Sequence, residues 1–411
     1  MRYLLASVLI AVVLTACGEK SDTISRCGEG YTDAATAAEL TALLAGEAER
    51  ICLLEGSYQR QFVLDTPKTL QGVSKETTVL TSAAGTPLTV NSGNVSITDI
   101  GFKLELATLA ETPALRLEPK EGTATLANVA LSNIAVSTVN GGGIRATDIV
   151  SFSLANATVT ADAKGIVLLG TTVATLSGVT AQDCGRMGVA FANGAQGSVV
   201  NSTLQRNGYT GLWIQDTAKV SVTDSTITDN ALAGINIVNA KNILIENSEI
   251  AASKELAGTP GADGIVVYTP ELAGDPIMAG DPIMQRAFTL LNSTVKDHPR
   301  AALIFDGTAT STGMELKNML LDGVDIFRMA YGVVFQNGLA PESFSDNAGA
   351  VSEDYSDGYE TGTSDVDTMN GGSDAVAIGD AEPASDGEMP DVDTAAPSAE
   401  PLPIENSEEE F

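Results

Sequence analysis

Short runs of alternating apolar and polar residues recur through the middle of the chain. Five of them begin with a glycine, and the successive glycines are 22, 23, 23 and 23 residues apart. Alternation is typical of a half-buried strand, and a fixed period is typical of a repeat architecture. The runs are Gly143-Ile144-Arg145-Ala146, Gly165-Ile166-Val167-Leu168, Gly188-Val189-Ala190-Phe191, Gly211-Leu212-Trp213-Ile214 and Gly234-Ile235-Asn236-Ile237. Similar runs follow at wider spacing from Gly264, Ala302 and Gly332.

The alternation predicts which side chains face inward. The residue one position after each opening residue is apolar in all eight runs, and so is the residue three positions after it. We expect both columns to stack inside the molecule. The position between them is chemically mixed, so we expect it to face outward: it holds Arg145, Val167, Ala190, Trp213, Asn236, Val266, Ile304 and Val334.

A second strand-like run stands halfway through each repeat, as in Val220-Ser221-Val222-Thr223 and Ile243-Leu244-Ile245-Glu246. Each such run continues through a polar corner into another apolar step, which predicts two or three short strands per repeat. Four positions before the glycines stand Cys184, Asn207 and Asn230, with His298 at the matching place later. Stacked asparagines hydrogen-bond from turn to turn. We therefore expect Cys184 and His298 to occupy structural positions in this ladder.

The pattern resembles right-handed parallel β-helix proteins, which include pectate lyases, polygalacturonases and a periplasmic copper-site protein family with short β-helix repeats. The first coil is similar to theirs, with Ile51-Cys52-Leu53-Leu54, Phe62-Val63-Leu64, Thr69-Leu70-Gln71-Gly72 and Thr78-Val79-Leu80. The resemblance covers residues 51 to 338. It implies an all-β solenoid, and helical spacing over residues 36–45 predicts a short N-terminal helix that caps its open end.

The first residues form an export signal. Arg2 precedes an apolar stretch from Leu4 to Leu14, which is too short to span a bilayer, and small residues follow. The segment Leu14-Thr15-Ala16-Cys17 resembles the bacterial lipobox. That resemblance implies cleavage before Cys17 and a lipid on its sulfur, which would be the protein's contact with the membrane. Gly18 is not the aspartate of an inner-membrane retention signal, so we expect the cell envelope and its outer membrane.

The C-terminal part of the chain is acidic. Residues 341–411 hold 20 Asp and Glu and no Lys or Arg, out of a net charge of −31 for the whole protein. Such a segment cannot bury enough apolar surface to offset its ordering entropy, so we expect a disordered tail. The net charge excludes nucleic acid as a partner. The predicted divisions are residues 1–17 for the signal, 18–50 for linker and capping helix, 51–340 for the β-helix and 341–411 for the tail.

Cysteine usage fits an oxidising compartment. Cys27 and Cys52 lie near the mature N-terminus and are candidates for a disulfide, with two separate buried thiols as the alternative. Cys184 is then unpaired in the ladder.

Catalytic signatures are weak. The lone histidine, His298, stands in Asp297-His298-Pro299, so the histidine and aspartate cluster of the polygalacturonase type is missing. A polysaccharide lyase needs only a Lys or Arg that abstracts the proton beside a uronate carboxyl group, and calcium or another cation that acidifies this proton. Arg145, Lys164 and Arg300 lie at or near the predicted turns. The weak catalytic candidates are Arg186, Arg206 and Asp216.

Binding without catalysis is the first hypothesis. Trp213 is the only tryptophan and is predicted to face outward. Tyr209, Asn236 and Tyr268 are its predicted neighbours on the same surface. A flat aromatic face beside amides suits a sugar ring. We therefore expect a monomeric, membrane-anchored β-helix protein that binds a polysaccharide or another cell-envelope partner, with no metal or cofactor. A polysaccharide lyase with calcium is the alternative, and a structural or adhesive spacer is the second alternative.

Overall fold

The computed structural model describes residues 25–216, 219–240, 242–256, 262–269, 288–307, 319–322, 325–327, 331–336 and 344–346. These residues form a coil of short strands with one α-helix, α1 (Ala37–Ala45), near the start of the described chain.

The strands are numbered in chain order. The first twelve are β1 (Thr32–Ala34), β2 (Arg50–Leu53), β3 (Gly56–Gln59), β4 (Phe62–Leu64), β5 (Thr69–Gly72), β6 (Thr78–Ser82), β7 (Leu88–Val90), β8 (Val95–Thr98), β9 (Gly101–Glu105), β10 (Pro113–Leu117), β11 (Val129–Ser132) and β12 (Ala135–Val139). The next twelve are β13 (Gly142–Thr147), β14 (Phe152–Ala155), β15 (Thr158–Thr160), β16 (Ile166–Leu169), β17 (Val173–Ser177), β18 (Thr180–Gln182), β19 (Val189–Ala192), β20 (Gln196–Val200), β21 (Thr203–Gln205), β22 (Thr210–Gln215), β23 (Val220–Thr223) and β24 (Thr226–Thr228). The last eleven are β25 (Ala233–Val238), β26 (Ile243–Glu246), β27 (Glu249–Ala251), β28 (Asp263–Thr269), β29 (Phe288–Leu291), β30 (Thr294–Lys296), β31 (Ala301–Gly307), β32 (Met319–Asp322), β33 (Asp325–Phe327), β34 (Tyr331–Gln336) and β35 (Phe344–Asp346).

Every coil adds one strand to each of three parallel sheets. The first sheet runs β1-β2-β5-β8-β11-β14-β17-β20-β23-β26-β29-β32-β35, the second runs from β3 to β33 through every third strand, and the third runs from β4 to β34 in the same way. All pairs are parallel, and strands of successive coils pair in register. The predicted right-handed parallel β-helix is confirmed.

The core lies inside the three sheets. The two predicted inward columns are buried through β31 as far as their side chains are described, with Phe191, Leu212 and Ile235 at 0% exposure. Phe305, Val333 and Phe335 belong to the same columns, but their side chains lie outside the described part. Stacking of apolar residues from coil to coil supplies most of the stabilisation, on the order of 1.5–3 kcal/mol for each large buried side chain.

Tight corners join the first sheet to the second. Asn133, Asn156, Asn201, Asp224 and Asn247 stand there with φ of 49°, 52°, 48°, 51° and 49°. Asparagine and aspartate tolerate this left-handed conformation better than other non-glycine residues, which explains the polar corner in each repeat.

Two buried ladders hold successive coils together. In one, Asn230 Oδ1 accepts hydrogen bonds from the Asn207 backbone N–H at 3.1 Å and from Asn207 Nδ2 at 2.8 Å, and Asn207 Oδ1 accepts from the Cys184 N–H at 3.1 Å. His298 Nδ1 accepts from the Ser253 N–H at 3.4 Å. The expected positions of Cys184 and His298 in the asparagine ladder are confirmed. The other ladder, which the sequence does not predict, consists of Ser202, Ser225, Ser248 and Ser293. The backbone N–H of each of the first three serines donates to the hydroxyl oxygen of the serine on the next coil.

The N-terminal segment covers the first coil. Helix α1 starts with a capping box between Thr36 and Glu39, and it buries Leu40 and Leu44. Lys68 Nζ donates to the carbonyl oxygens of Gly46 at 3.0 Å and Ala48 at 2.7 Å, just beyond the helix end. The predicted capping helix is confirmed. Strand β1 precedes it and pairs with β2, so the first sheet begins before the helix.

Several sequence expectations concern residues outside the described part. They include the export signal, the lipid on Cys17, and the acidic tail apart from residues 344–346. Those three residues form β35 and pair with β32 beyond residue 340, where the β-helix is predicted to end. Among the described residues, no helix is both long and apolar enough to cross a bilayer.

Candidate functional site

A column of outward-facing residues follows the third sheet. In-register pairing of β10, β13, β16, β19, β22 and β25 aligns one residue from each strand. The aligned residues, which we call the outer strip, are Arg116, Arg145, Val167, Ala190, Trp213 and Asn236. Neighbouring strands are about 4.8 Å apart, so Arg145 and Trp213 lie three strands, or about 14 Å, from each other.

The middle of the outer strip is apolar and closely packed. Val167 is 7% exposed and Ala190 is 0% exposed, although both face away from the core. Val167 joins Leu169 and Ala192 in a hydrophobic cluster separate from the core. The expectation of an outward-facing column is correct in direction, but Val167 and Ala190 are buried and not solvated.

One end of the outer strip carries a concentration of charge. We call it the cation cluster, and it consists of Arg116, Arg145, Lys164, Arg186, Glu111 and Glu118. The cluster contains four cations and two carboxylates, in a protein whose net charge is −31.

Glu111 joins two of these cations. Its Oε1 lies 3.5 Å from Arg186 Nη1, and its Oε2 lies 3.9 Å from Lys164 Nζ. The Lys164 side chain is only 6% exposed, whereas those of Arg186 and Glu111 are 45% and 44% exposed. Lys164 precedes β16 and Arg186 precedes β19, so the two cations come from successive coils and both lie near the N-terminal ends of strands of the third sheet.

The second half of the cluster lies on the strands themselves. Arg116 Nη1 is 3.5 Å from Glu118 Oε1, and Arg145 is paired in register with Arg116 on the next coil. Burial lowers the pKa of Arg145, while Glu118 raises it, Arg116 lowers it and Glu111 raises it. The guanidinium stays charged at every physiological pH.

An aromatic pair lies at the other end of the outer strip. The rings of Tyr209 and Trp213 are 6.0 Å apart between centroids with an interplanar angle of 44°. Trp213 Nε1 donates to Gln215 Oε1 at 3.1 Å, which holds the indole partly exposed over the sheet. Asn236 is the next residue of the strip, and its Oδ1 is buried with no hydrogen-bond partner within the described part of the chain. Burial raises the pKa of Tyr209.

The three weak catalytic candidates are not brought together. Arg186 belongs to the cation cluster. Arg206 forms a bidentate ion pair with Asp183, with Nε–Oδ1 and Nη2–Oδ2 distances of 2.8 Å each. Asp216 follows β22 while Arg206 precedes it, and Asp216 accepts from Asn239 Nδ2 at 2.6 Å. The six residues of β22 separate Arg206 from Asp216 by roughly 20 Å.

The other sequence candidates have fixed positions. Tyr268 lies in β28, where its backbone pairs with Val238 of β25, and the Tyr268 side chain lies outside the described part. Cys27 and Cys52 form a disulfide with a Cα–Cα distance of 5.7 Å, which ties the segment before β1 to the first coil. Cys184 is buried, and burial raises its thiol pKa to about 12. No group of three or more potential metal ligands occurs among the residues that the structure describes.

Sequence reasoning missed Glu111, Arg116 and Glu118. Arg116 stands in Pro113-Ala114-Leu115-Arg116-Leu117, which has the same apolar, cation, apolar order as Gly143-Ile144-Arg145-Ala146 but no opening glycine. Aligning these two runs would have found Arg116. Glu111 lies between β9 and β10 in a segment with no repeat counterpart, so no periodic signal marks it.

A depression of about 380 Å³ lies on the outer face of the second sheet. Its charged lining residues are Lys103 and Glu105, which form an ion pair at 2.6 Å. The two charges cancel, and the depression has no aromatic side chain. The outer strip and the cation cluster therefore remain the candidate site.

Comparison with known proteins supports the same fold. The family described as "Right handed beta helix region" matches residues 142–316. The A-module of mannuronan C-5 epimerase AlgE4 from Azotobacter vinelandii aligns with a TM-score of 0.55 and 14% identity, over 77% of this chain and 97% of that chain. The AlgE6 A-module from the same organism gives 0.51 and 16% over 75% and 94%.

The catalytic domain of a GH87 α-1,3-glucanase aligns with a TM-score of 0.50 and 13% identity, over 76% of this chain and 65% of that chain. No curated protein matches the chain in sequence. Identities this low establish shared architecture only. Together with the three coiled sheets, these matches define the chain as a right-handed parallel β-helix protein similar in fold to polysaccharide-acting enzymes.

Proposed function

We propose that the protein binds an acidic polysaccharide along the outer strip and does not turn it over. The observation that carries the proposal is the cation cluster, which lies on the same face as the Tyr209–Trp213 pair. A cationic patch on a protein of net charge −31 is a specific feature, because an acidic polymer is repelled by the rest of the surface.

The two ends of the outer strip suit different parts of a uronate chain. Guanidinium and ammonium groups pair with carboxylates at the cation cluster. The partly exposed indole of Trp213 offers a flat face to a sugar ring. The Asn236 carboxamide, on the next strand, can accept a hydrogen bond from a hydroxyl after a side-chain rotation that exposes its buried Oδ1. The apolar middle, about 14 Å long, lets an extended chain contact both ends at once.

The fold neighbours favour a polysaccharide as the ligand class to test first. Two are named as mannuronan epimerases and one as an α-1,3-glucanase. Against catalysis, Arg206 is engaged by Asp183, and burial raises the pKa of Tyr209, which keeps the phenol protonated and a poor base. His298 lies in a buried ladder. These features favour binding alone.

The single tryptophan makes binding directly measurable. We would titrate the full-length protein in detergent with oligogalacturonate, oligomannuronate and neutral cello-oligosaccharides and follow tryptophan fluorescence. We expect a saturable change with at least one uronate, weakened by salt, and none with the neutral chain. Arg145→Gln should weaken binding about tenfold. The control Arg60→Gln, at an exposed arginine outside the site, should change nothing.

Four results would overturn the proposal. Binding of no uronate would leave the spacer interpretation, and equal effects of the Arg145 and Arg60 variants would place the ligand elsewhere. Steady release of unsaturated uronates, followed by their ultraviolet absorbance, would establish a lyase. Epimerised uronates detected by NMR would likewise establish catalysis.

We also propose that Cys17 carries the lipid that anchors the protein to the outer membrane. The support is the segment Leu14-Thr15-Ala16-Cys17 after the apolar stretch. Mass spectrometry of the mature protein should find an acylated N-terminal cysteine, and Cys17→Ser should move the protein out of the membrane fraction. Unmodified Cys17 in a membrane-free protein would refute the anchor.

A further inference from the structure

Glu111 occupies the position in which a ligand carboxylate would be expected. Each of its two oxygens faces a different cation, with Oε1 3.5 Å from Arg186 Nη1 and Oε2 3.9 Å from Lys164 Nζ. A uronate carboxylate bound by the same two side chains would make the same contacts. The protein's own carboxylate and the ligand's carboxylate therefore compete for one place.

Lys164 makes that place selective. Its side chain is 6% exposed, and a buried ammonium is costly unless an anion accompanies it. A ligand that displaces Glu111 must bring a negative charge of its own, or it leaves Lys164 with less compensation than before. Neutral sugars cannot do this, whereas uronates can.

Glu111 is also able to leave. It lies between β9 and β10, outside the strands, and its side chain is 44% exposed. The backbone around it is held, because the Ala110 N–H donates to the Asn140 carbonyl at 2.8 Å and the Thr112 carbonyl accepts from the Gly142 N–H at 2.9 Å. A side-chain rotation is thus enough to move the carboxylate into solvent without moving the coil.

We propose that Glu111 is a built-in substitute for the ligand's carboxylate, which compensates Lys164 and Arg186 in the empty protein and restricts the site to acidic sugars. This inference rests on the proposed function and names the residue that sets its specificity. Glu118 differs from Glu111, because its carboxylate lies 3.5 Å from Arg116 Nη1.

The test compares four variants at three glutamates of the full-length protein by fluorescence titration with oligogalacturonate. Glu111→Gln should bind about tenfold more tightly, since one charge-assisted competitor is removed. Glu118→Gln removes the same charge from the same cluster and should gain about twofold at most. Glu105→Gln, from an exposed ion pair on the second sheet, should behave as wild type. Glu111→Asp keeps the charge on a shorter side chain and should lie between wild type and Glu111→Gln.

A second measurement uses thermal unfolding without the oligosaccharide. Glu111→Gln should have a lower Tm than wild type, since Lys164 and Arg186 each lose an ion pair with a carboxylate. Monomeric galacturonate should raise the Tm of this variant more than that of wild type, and glucose should raise neither. This rise in Tm would show that galacturonate binds where the Glu111 carboxylate lies in wild type, and the measurement does not depend on Trp213 fluorescence.

Equal gains in affinity from Glu111→Gln and Glu118→Gln would overturn the inference, because the loss of one negative charge anywhere in the cluster would then explain both gains. Weaker binding by Glu111→Gln would overturn it too, because Glu111 would then be organising the cations for the ligand. If wild type binds through Arg145 and Glu111→Gln gains nothing, the inference fails while the proposed function stands. If neither protein responds to any uronate, both fail. Binding by Glu111→Gln alone would support the inference even where wild-type binding is too weak to measure.

Discussion

The buried asparagine ladder and the outer strip both run along this β-helix, and each contains an asparagine. The two asparagines differ in whether their side-chain oxygens have hydrogen-bond partners. In the buried ladder, Asn230 Oδ1 receives two hydrogen bonds from Asn207, and Asn230 Nδ2 donates to the Leu204 carbonyl at 3.0 Å. In the outer strip, Asn236 Oδ1 is buried with no partner in the described part of the chain. Both polar atoms of the Asn230 side chain are used in hydrogen bonds within the fold, whereas Asn236 Oδ1 is an acceptor that a ligand could use.

The two asparagines are six residues apart and sit on the same coil, so neither composition nor local spacing distinguishes them. The difference is whether the neighbouring coils supply a matching group. The coil before Asn230 repeats an asparagine, at Asn207, whereas the coils next to Asn236 offer Trp213 and Val266. A polar group whose column does not repeat it is therefore a better indicator of a binding site than a polar group that recurs.

The largest expected effect is on the ladder. Asn230→Ala removes the acceptor of two buried donors on Asn207 and the donor of one buried carbonyl, each worth roughly 1–3 kcal/mol. We expect a loss of roughly 3–6 kcal/mol in the free energy of unfolding, measured by urea denaturation. Uronate binding at low temperature should be unchanged. A loss below about 1 kcal/mol would show that the ladder does not hold the coils together.

The next effect is on pH dependence. Burial lowers the pKa of His298 from 6.5 to about 4, although its hydrogen bond to the Ile250 carbonyl, Asp263 and Asp297 raise it. Between these values the unfolded chain binds a proton that the folded protein does not. Stability contributed by neutral His298 is therefore present above pH 6.5 and is lost as the pH falls towards 4, by on the order of 3 kcal/mol.

The measurement is urea denaturation of wild type and His298→Asn at pH 7, 5.5 and 4. Asparagine is the residue that other coils place in this ladder, and its oxygen can accept from the Ser253 N–H. The variant should lose less stability than wild type across this range. Parallel pH profiles for the two proteins would contradict the assignment of the titration to His298.

The sequence predicts the two columns to different extents. Inward residues such as Leu212 and Ile235 and the ladder residues Asn207 and Asn230 recur every 23 residues, so their positions follow from the period. Glu111 does not recur, and its contact with Lys164 depends on how a non-repeating segment is placed against the third sheet. The 23-residue period therefore predicts the fold, whereas the candidate site depends on residues such as Glu111 that lie outside the repeat.

The same limit applies to Arg206 and Asp216. Both residues stand at corners of the coil, and sequence spacing places each near the repeat strands. The sequence does not show that Arg206 would be engaged by Asp183 from the coil before it, or that a whole strand would lie between the two candidates. Partners that lie one coil away become visible only when the coils are stacked in register.

At the outer strip, Trp213→Ala should reduce uronate affinity by about thirtyfold, or about 2 kcal/mol, because the indole supplies the stacking face. Calorimetry replaces fluorescence here, since the variant has no tryptophan. Stability should change little, because the side chain is partly exposed on the outer face. Trp213→Phe keeps an aromatic face and should recover part of the affinity. Full affinity in the alanine variant would exclude the aromatic pair from the site.

The smallest expected effect is at Asn236. Asn236→Ala removes an acceptor that has no partner within the described chain, so the free energy of unfolding should change by less than about 0.5 kcal/mol or rise slightly. Uronate binding should weaken about fivefold through the loss of one neutral hydrogen bond. Asn230→Ala and Asn236→Ala would then have opposite profiles, one losing stability with binding intact and the other losing binding with stability intact. If Asn236→Ala destabilises the protein as strongly as Asn230→Ala, the outer strip is a second structural ladder and not a binding surface.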